Sequence, residues 1–397
     1  MKKRMRKLAG LMGVTVLTVA MMTGCGNSGD VTTSDTKEET DVETASETEK
    51  AGQTDDETEA SDDETKQTAL SDEEIIRTAA ADGTVGNWGL GNEYEILALL
   101  AKYDLPTDYL SQDFTMDGFD DDSISLASAM TYNELGLVQN DYDGGYGYGD
   151  SIGIIDMNDQ GVAMLEDNIF CKGEFAKENP ETVKAFLYAS LKGWEYAMEN
   201  PAEAAEICYE YGSSVSAEHQ AYMADEVAKL VNTDMSGNTV TDIGNMDDAA
   251  MQQTLDIAKK YVSLDDANAS EKLQAMTLDD IRDSSYIDAA KSSDGTFTVE
   301  KPEVSIQLKW LPDAQFMGYY VALDKGYYEE VGLTVNIVAG GGDIAETTAV
   351  NNGTVDFGVT WVSNLASANA GGMDLLEVAQ VFQRSGLVLV YKPENFN

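Results

Sequence analysis

The stretch that decides the fold is residues 304–328, VSIQLKWLPDAQFMGYYVALDKGYY. Residues 304–310 alternate between apolar and polar side chains, which predicts a β-strand. The apolar run that follows predicts a helix over residues 316–325. A strand that passes through a short turn into a helix begins an α/β layer.

The same strand-and-helix pattern continues to the end of the sequence. Further strands are predicted at residues 333–338, 355–359, 375–382 and 387–391, with helices at residues 343–351 and 363–370. Trp310 ends the first strand, and Trp361 comes just after the strand at 355–359. Both indole rings should therefore lie at the carboxyl ends of strands.

Residues 71–290 form a second α/β section. Ser71 and Glu74 have the spacing of a capping box, which predicts a helix start. Strands are predicted at residues 84–88, 125–130 and 152–156, and helices at residues 94–103, 180–198, 201–211, 216–231 and 247–262. The polar residues 291–303 contain Gly and Pro, and they are predicted to link the two sections.

The N-terminus is predicted to direct export. Residues 1–24 combine a basic start with a short apolar run, which is typical of a signal peptide. The pair Gly24–Cys25 resembles the lipobox of bacterial lipoproteins, in which Cys25 would carry the lipid; an ordinary secretory signal is the alternative. Residues 25–70 are acidic and nearly free of large apolar side chains, so we expect a disordered tether. The expected location is the outer face of the cell membrane.

Charge and cysteine content exclude several classes of partner. The formal net charge is −47, from 72 acidic and 25 basic side chains. Such a field repels polyanions, so nucleic acid is not an expected partner. Cys171 and Cys208 lack metal-ligand spacing; two buried thiols are expected, with a disulfide as the alternative. No metal site is predicted.

Seven side chains are candidates for binding a small planar ligand. In open α/β sheets, ligands lie beyond the carboxyl ends of the strands, where aromatic faces and a few polar groups can hold a heterocycle. The alternative for the rings is core or rim packing, and for the acids it is helix capping or solvation. The candidates are Trp88, Asn92, Glu93, Tyr132, Asp156, Trp310 and Trp361.

The sequence gives little support to an enzyme active site or to an anion-binding site. There is no G-x-S-x-G, H-E-x-x-H or Cys/His cluster. The single histidine, His219, falls in the polar first turn of a predicted helix and is expected to face solvent. Residues 340–343, GGGD, could offer backbone donors to an anion, but they lack the Walker lysine, so a plain loop is the preferred interpretation.

Several blocks resemble a family of solute-binding proteins. The blocks are LKWLPDAQF (308–316), VDFGVTW (355–361), GNWGLGNEY (86–94), AMTYNE (129–134), DMNDQG (156–161) and SLKGW (190–194). The family includes lipoproteins for thiamine-pyrimidine precursors and for riboflavin, together with thiamine pyrimidine synthase. In that family the 304-like strand precedes the 86-like strand. The order here therefore indicates circular permutation; a truncated fusion of two copies and a swapped assembly are the alternatives.

The resemblance implies a type II periplasmic-binding fold with two α/β lobes and a hinge. Residues 71–290 would be the family's C-terminal portion, 304–397 its N-terminal portion, and 291–303 the join. One lobe would hold mostly residues 84–150, and the other residues 155–290 with 304–390.

The implied function is that of a monomeric binding lipoprotein that delivers a thiamine-pyrimidine precursor or riboflavin to an ABC permease, without a cofactor. Two alternatives remain, a pyrimidine synthase and a sensor without transport. The synthase branch uses an active-site histidine, a lysine-bound pyridoxal phosphate and a cysteine-rich motif. This chain has no cysteine cluster, and its one histidine lies outside the matching blocks.

Overall fold

The computed structural model describes residues 70–396. The predicted signal peptide (1–24), the predicted lipidation site Cys25 and all but the last residue of the predicted tether (25–70) lie outside the described residues. Within residues 70–396, no helix combines the length and the apolar character needed to cross a bilayer.

The described residues form fifteen α-helices and ten β-strands. The helices are α1 (Asp72–Asp82), α2 (Glu93–Lys102), α3 (Asp117–Asp120), α4 (Glu134–Gln139), α5 (Gly173–Glu178), α6 (Pro180–Glu199), α7 (Pro201–Glu210), α8 (Ala217–Asn232), α9 (Asp248–Tyr261), α10 (Ala267–Ala275), α11 (Ser285–Lys291), α12 (Met317–Asp324), α13 (Tyr327–Glu330), α14 (Glu346–Asn351) and α15 (Val362–Ala370). The strands are β1 (Gly86–Asn87), β2 (Leu110–Ser111), β3 (Ala127–Met130), β4 (Gly153–Asp156), β5 (Asn168–Lys172), β6 (Glu303–Gln307), β7 (Thr334–Val338), β8 (Phe357–Thr360), β9 (Leu375–Gln380) and β10 (Leu387–Tyr391).

Strands from the two α/β sections share their sheets. The largest sheet has the order β7-β6-β8-β5-β9, in which β6 runs parallel to β7 and β8, and β5 runs antiparallel to β8 and β9. A second sheet has the order β3-β10-β4 and is antiparallel, and β1 pairs with β2 in parallel. Strand β5, from residues 71–290, therefore completes a sheet whose other strands come from residues 303–380, and β10 lies between two strands from residues 71–290. This mixed architecture confirms the predicted α/β class.

Helix α6 packs on α12 through two glycines. A Cβ on Gly193 would lie 2.1 Å from the carbonyl oxygen of Gly318, and a Cβ on Gly318 would lie 2.2 Å from the Trp194 ring. Only glycine permits this approach, because interiors pack at crystal-like density. Trp194 is wholly buried. Residues of both sections thus share one core.

The two cysteines of the described region are buried and free. Burial raises the pKa of the Cys171 and Cys208 thiols well above the ordinary range. A thiol held in its neutral form is unreactive. The expectation of two buried thiols is confirmed, and the disulfide alternative is wrong.

The linker residue Glu300 caps helix α6. Its carboxylate accepts hydrogen bonds from the backbone N–H of Glu181 (3.2 Å) and of Thr182 (2.9 Å) and from the Thr182 hydroxyl (2.9 Å). These N–H groups have no partner within the helix, and a negative charge is favourable at a helix N-terminus. The linker is therefore fixed to the body by specific bonds.

We expect Glu300→Ala to lower the free energy of unfolding by about 1 kcal/mol, the usual cost of a lost helix cap. Urea denaturation followed by circular dichroism measures this change. Glu303→Ala is the matched control, because Glu303 is also exposed and acidic. Equal effects of the two substitutions would contradict the capping role.

Candidate functional site

A cavity of about 470 Å³ lies among segments of both sections. Its size is within the range of sites for small ligands. Its walls come from the turns after β1, β3 and β6, the loop after β2, the loop before α14, and α15 with the residue before it.

Six of the seven candidate residues line this cavity. They are Trp88, Asn92, Glu93, Tyr132, Trp310 and Trp361. The four aromatic rings come from positions one to three residues after β1, β3, β6 and β8. Carboxyl ends of strands from three sheets thus meet at this point, as expected for ligand sites in α/β proteins.

Asp156, the seventh candidate, is not among the residues that line the cavity. Its carboxylate accepts hydrogen bonds from the backbone N–H and the side-chain amide of Asn158, both at 2.7 Å. It also forms a 2.7 Å ion pair with Arg384. Asp156 therefore stabilises the turn that follows β4.

Asp167 fixes two side chains of the cavity wall by hydrogen bonds. Its carboxylate accepts hydrogen bonds from the Trp361 indole N–H at 3.0 Å and from the Gln315 side-chain amide at 2.8 Å. Burial raises the pKa of Asp167 to about 6, and these two hydrogen bonds oppose the rise. The Trp361 ring plane is fixed as a result, and the Gln315 carbonyl oxygen is left to accept at the cavity.

Lys309 supplies a positive charge at the cavity wall. Its ammonium nitrogen lies 4.7 Å from the Trp361 ring centroid and 3.3 Å from a carboxylate oxygen of Glu346. The Thr360 hydroxyl donates to the same oxygen at 2.5 Å. An ammonium group placed over an aromatic face is attracted by the ring. The sequence pattern did not point to Lys309 or Glu346.

The mouth of the cavity carries a contact between two rings. Phe114 and Trp310 have ring centroids 5.0 Å apart with an interplanar angle of 59°. Phe114 is 54% exposed, which is unusual for phenylalanine. It lies in a loop between β2 and α3, without a strand end or motif to indicate a role, so sequence reasoning missed it.

Two polar atoms at the cavity have no hydrogen-bond partner among the described residues. They are the indole nitrogen of Trp88 and the side-chain carbonyl oxygen of Asn92, and both are buried. An unsatisfied buried group costs about 1–3 kcal/mol. Neither atom is exposed to the cavity space in this conformation, so neighbouring side chains would have to shift before a ligand could reach them.

Glu134 is a buried acid of the cavity wall. Its carboxylate accepts hydrogen bonds from the backbone N–H of Met130 at 2.9 Å and from the Asn133 side-chain amide at 3.0 Å. Burial raises its pKa to about 7, and these bonds oppose the rise. Together with Glu93 and Glu346, it gives the wall more negative than positive groups, so the cavity disfavours anions.

A glycine turn connects the cavity to α15. Gly91 donates its backbone N–H to the Glu93 carboxylate at 2.7 Å. Ser363 donates to the Gly91 carbonyl oxygen at 3.2 Å, and Asn364 donates to that of Leu90 at 3.1 Å. These bonds hold the turn after β1 against the helix that follows Trp361.

We expect Gly91→Ala to lower both the melting temperature and ligand affinity. Gly91 has a φ of +115°, and an added Cβ would lie 2.4 Å from the Asn364 side-chain oxygen. Gly89→Ala is the matched control, because Gly89 has a φ of +82° but only the Tyr109 hydroxyl, at 4.0 Å, near its Cβ. Both should show backbone strain. A Gly91 effect no larger than the Gly89 effect, measured by thermal unfolding and calorimetry, would contradict the close contact.

Among residues 70–396, no group of three or more His, Cys, Asp or Glu side chains is placed to hold a metal ion. Helix α14 begins at Glu346, after the glycine loop at 340–343. Residues 340–343 therefore end with two residues left before the helix begins.

The expectation that His219 faces solvent is wrong. The side chain is fully buried, and its ring contacts Tyr142 and Asn133. Polar neighbours in the sequence suggested exposure, but a loop 77 residues earlier covers the first turn of α8. Sequence patterns within one helix do not report such long-range packing.

The sequence matches one family model, described as NMT1/THI5 like, over residues 66–204 and 313–396. These two segments together make up more than half of the chain. They contain Trp88, Tyr132 and Trp361, and Trp310 lies just before the second segment. No protein among the curated sequences matches the chain.

Proposed function

Because the chain belongs to the NMT1/THI5-like family, which covers substrate-binding proteins of ABC transporters and thiamine pyrimidine synthase, we propose that it is a binding protein of an ABC importer. The ligand would be a small aromatic heterocycle, a thiamine-pyrimidine precursor or a riboflavin-like molecule. The periplasmic-binding type of fold suits this role, since its cleft opens and closes around small ligands.

The observation that carries the proposal is the composition of the cavity. Four aromatic rings and the polar side chains of Asn92, Glu93 and Gln315 lie around a space of about 470 Å³. Aromatic faces bind flat rings, and a few polar groups at the edge give orientation and specificity. Trp88, Tyr132, Trp310 and Trp361 would stack, and Asn92 and Glu93 would orient the ligand.

Ligand binding would be coupled to closure of two lobes. The bonds from α15 to the turn after β1, and the contact between Phe114 and Trp310, join the walls of the cavity. A ligand that contacts both walls binds the closed form more tightly, and this difference in affinity shifts the equilibrium toward closure.

Circular permutation remains part of the proposal. The two matched segments contribute interleaved strands to the same sheets, and the linker between them is held by Glu300. Burial, and after it the charge of the Asp72 carboxylate, raises the pKa of Tyr391 at the end of β10. In the order that the family has, the chain would pass from Tyr391 to Asp72 at this place.

A variant that begins at residue 304 and places residues 71–291 after residue 397 should fold and bind the same ligand. Failure of this variant to fold would count against circular permutation.

Export and anchoring are proposed from the sequence of residues 1–25. A lipid on Cys25 would hold the protein at the outer face of the cell membrane, where it would meet its permease. Metabolic labelling with a radioactive fatty acid tests this. We expect label in the wild type and none in Cys25→Ala; label in both would contradict the proposed site.

The synthase alternative has one observation in its favour, namely Lys309 in the cavity wall. Purified synthase would carry pyridoxal phosphate or iron, whereas a riboflavin carrier would carry a flavin. A visible absorption spectrum of the purified protein distinguishes these cases.

Titration calorimetry tests the proposed function. We expect binding by at least one aminopyrimidine or isoalloxazine, and weaker binding of its phosphate ester, because acids outnumber bases at the cavity wall. Binding of neither class, or preference for the phosphate ester, would contradict the proposal.

A further inference from the structure

The single histidine of the chain links a helix to the cavity wall. His219 lies in the first turn of α8, where the Ser216 hydroxyl oxygen accepts its backbone N–H at 3.1 Å. One ring nitrogen, Nδ1, is 2.6 Å from the Tyr142 hydroxyl. The other, Nε2, is 2.8 Å from the side-chain oxygen of Asn133, a residue that lines the cavity.

The neighbouring bonds fix the direction of every hydrogen bond in this series. Asn133 donates its amide N–H to the Glu134 carboxylate, so its carbonyl oxygen faces His219 and can only accept. Nε2 must therefore carry the hydrogen. Burial lowers the pKa of His219 to about 4, so the ring is neutral at pH 7 and Nδ1 accepts from the Tyr142 hydroxyl.

A second side chain of α8 holds the same turn. The Tyr222 hydroxyl donates to the carbonyl oxygen of Thr131 at 2.7 Å, and its ring stacks on His219 with centroids 5.9 Å apart and an interplanar angle of 8°. A Cβ on Gly136 would lie 2.2 Å from the Tyr222 ring. Helix α8 therefore contacts the β3–α4 turn through two residues one helical turn apart. The Tyr222 bond ends on a backbone carbonyl, whereas the His219 bond ends on a side chain of the cavity wall.

We propose that His219 is a positioning residue that sets the orientation of Asn133 and, through it, of the Glu134 carboxylate at the cavity wall. Its effect on ligand affinity rests on the proposed function, whereas its effect on Asn133 and Glu134 does not. Without the imidazole, the Asn133 oxygen loses its donor and the amide can rotate. Glu134 then loses one of its two hydrogen bonds, and the wall loses a fixed acceptor.

The first test is the tautomer of His219 in the wild-type protein. Long-range proton–nitrogen NMR distinguishes the two neutral tautomers, and one histidine in the sequence makes assignment unambiguous. We expect a neutral ring with the hydrogen on Nε2 throughout pH 5–8. A hydrogen on Nδ1, or titration near the ordinary value of 6.5, would overturn the proposal.

The second test uses two substitutions. His219→Leu removes both bonds, and His219→Gln retains one amide donor that can reach Asn133. We expect the pKa of Glu134, followed by carboxyl-carbon NMR, to rise in His219→Leu because a bond that lowers it is lost. The Gln variant should restore it toward the wild-type value. An unchanged Glu134 pKa in folded His219→Leu would overturn the proposal, and if that variant does not fold, the wild-type tautomer decides.

Ligand affinity separates this proposal from the proposed function. We expect about a tenfold loss in His219→Leu, as for one buried hydrogen bond, and less than about threefold in His219→Gln. If the wild type binds no heterocycle but the tautomer and the Glu134 titration are as expected, the proposed function fails and the positioning role stands. Equal affinity in all three proteins would overturn the part of the proposal that concerns binding.

Discussion

Replacing Trp310 with alanine should weaken heterocycle binding about 10- to 100-fold without unfolding the protein. Stacking of a flat ring on an aromatic side chain contributes about 1–3 kcal/mol, and 1.4 kcal/mol is tenfold in affinity. Trp310 is only partly buried, and its ring contacts the Phe114 ring at the cavity mouth. It packs against the edge of the core and is not one of the buried core side chains, so its removal takes away a binding surface and we expect the fold to be kept.

Two further variants sharpen this experiment. Trp310→Phe keeps an aromatic face and should lose less affinity than Trp310→Ala. Tyr209→Ala removes an aromatic side chain that is 49% exposed and does not line the cavity, so its affinity should match the wild type. Calorimetry measures affinity, and thermal unfolding checks the fold. Wild-type affinity in Trp310→Ala would remove Trp310 from the site.

Replacing Glu377 with glutamine should stabilise the protein by about 3 kcal/mol at pH 7. Glu377 is fully buried, and burial raises its pKa to about 8. It accepts a 3.0 Å hydrogen bond from the Asn168 amide, while its other oxygen and the Asn168 carbonyl oxygen have no partner among the described residues. A protonated Glu377, or glutamine, can donate to that carbonyl oxygen and complete a pair of hydrogen bonds.

The sign of the pH dependence follows from the raised pKa. The folded state holds a proton on Glu377 that the unfolded chain releases above its ordinary pKa of 4.5. The contribution of Glu377 to stability is thus complete below about pH 4.5 and declines by up to ~1.4 kcal/mol per pH unit until about pH 8.

The gain from Glu377→Gln should therefore be near zero at pH 4 and largest at pH 8. Urea denaturation across this range measures it, with Glu303→Gln as the control for removal of an exposed charge. A gain that does not depend on pH would show that Glu377 is ionised in the folded protein.

Local signals in the sequence predicted the main elements and the aromatic part of the site. The capping box at Ser71 starts a helix as expected, and the strand predicted at residues 387–391 has the observed bounds. Trp88, Tyr132, Trp310 and Trp361 could be found because each follows a strand end, a position that period-two patterns reveal. The physical basis is local: side-chain alternation and caps depend on neighbours in the sequence.

The supporting residues of the site could not be found in this way. Asp167 contacts Gln315 across 148 positions and Trp361 across 194, and no periodicity encodes such pairs. Phe114 lies in a loop, and no motif or strand end next to it indicates a role. His219 was misjudged because the loop that buries it belongs to another element. Asp156 also lies at the end of a strand, as the aromatic candidates do. Its carboxylate, however, is bound by Arg384 and Asn158 and does not line the cavity.

The central claim is that two sequence-distant segments close one aromatic cavity around a heterocycle. A crystal structure of the protein purified from its own host, with the ligand that accompanies it, tests this most directly. We expect a planar ring in contact with both the turn at residues 88–93 and the segments at 309–310 and 361–364. A ligand bound elsewhere, or held by one of these segments alone, would contradict the account.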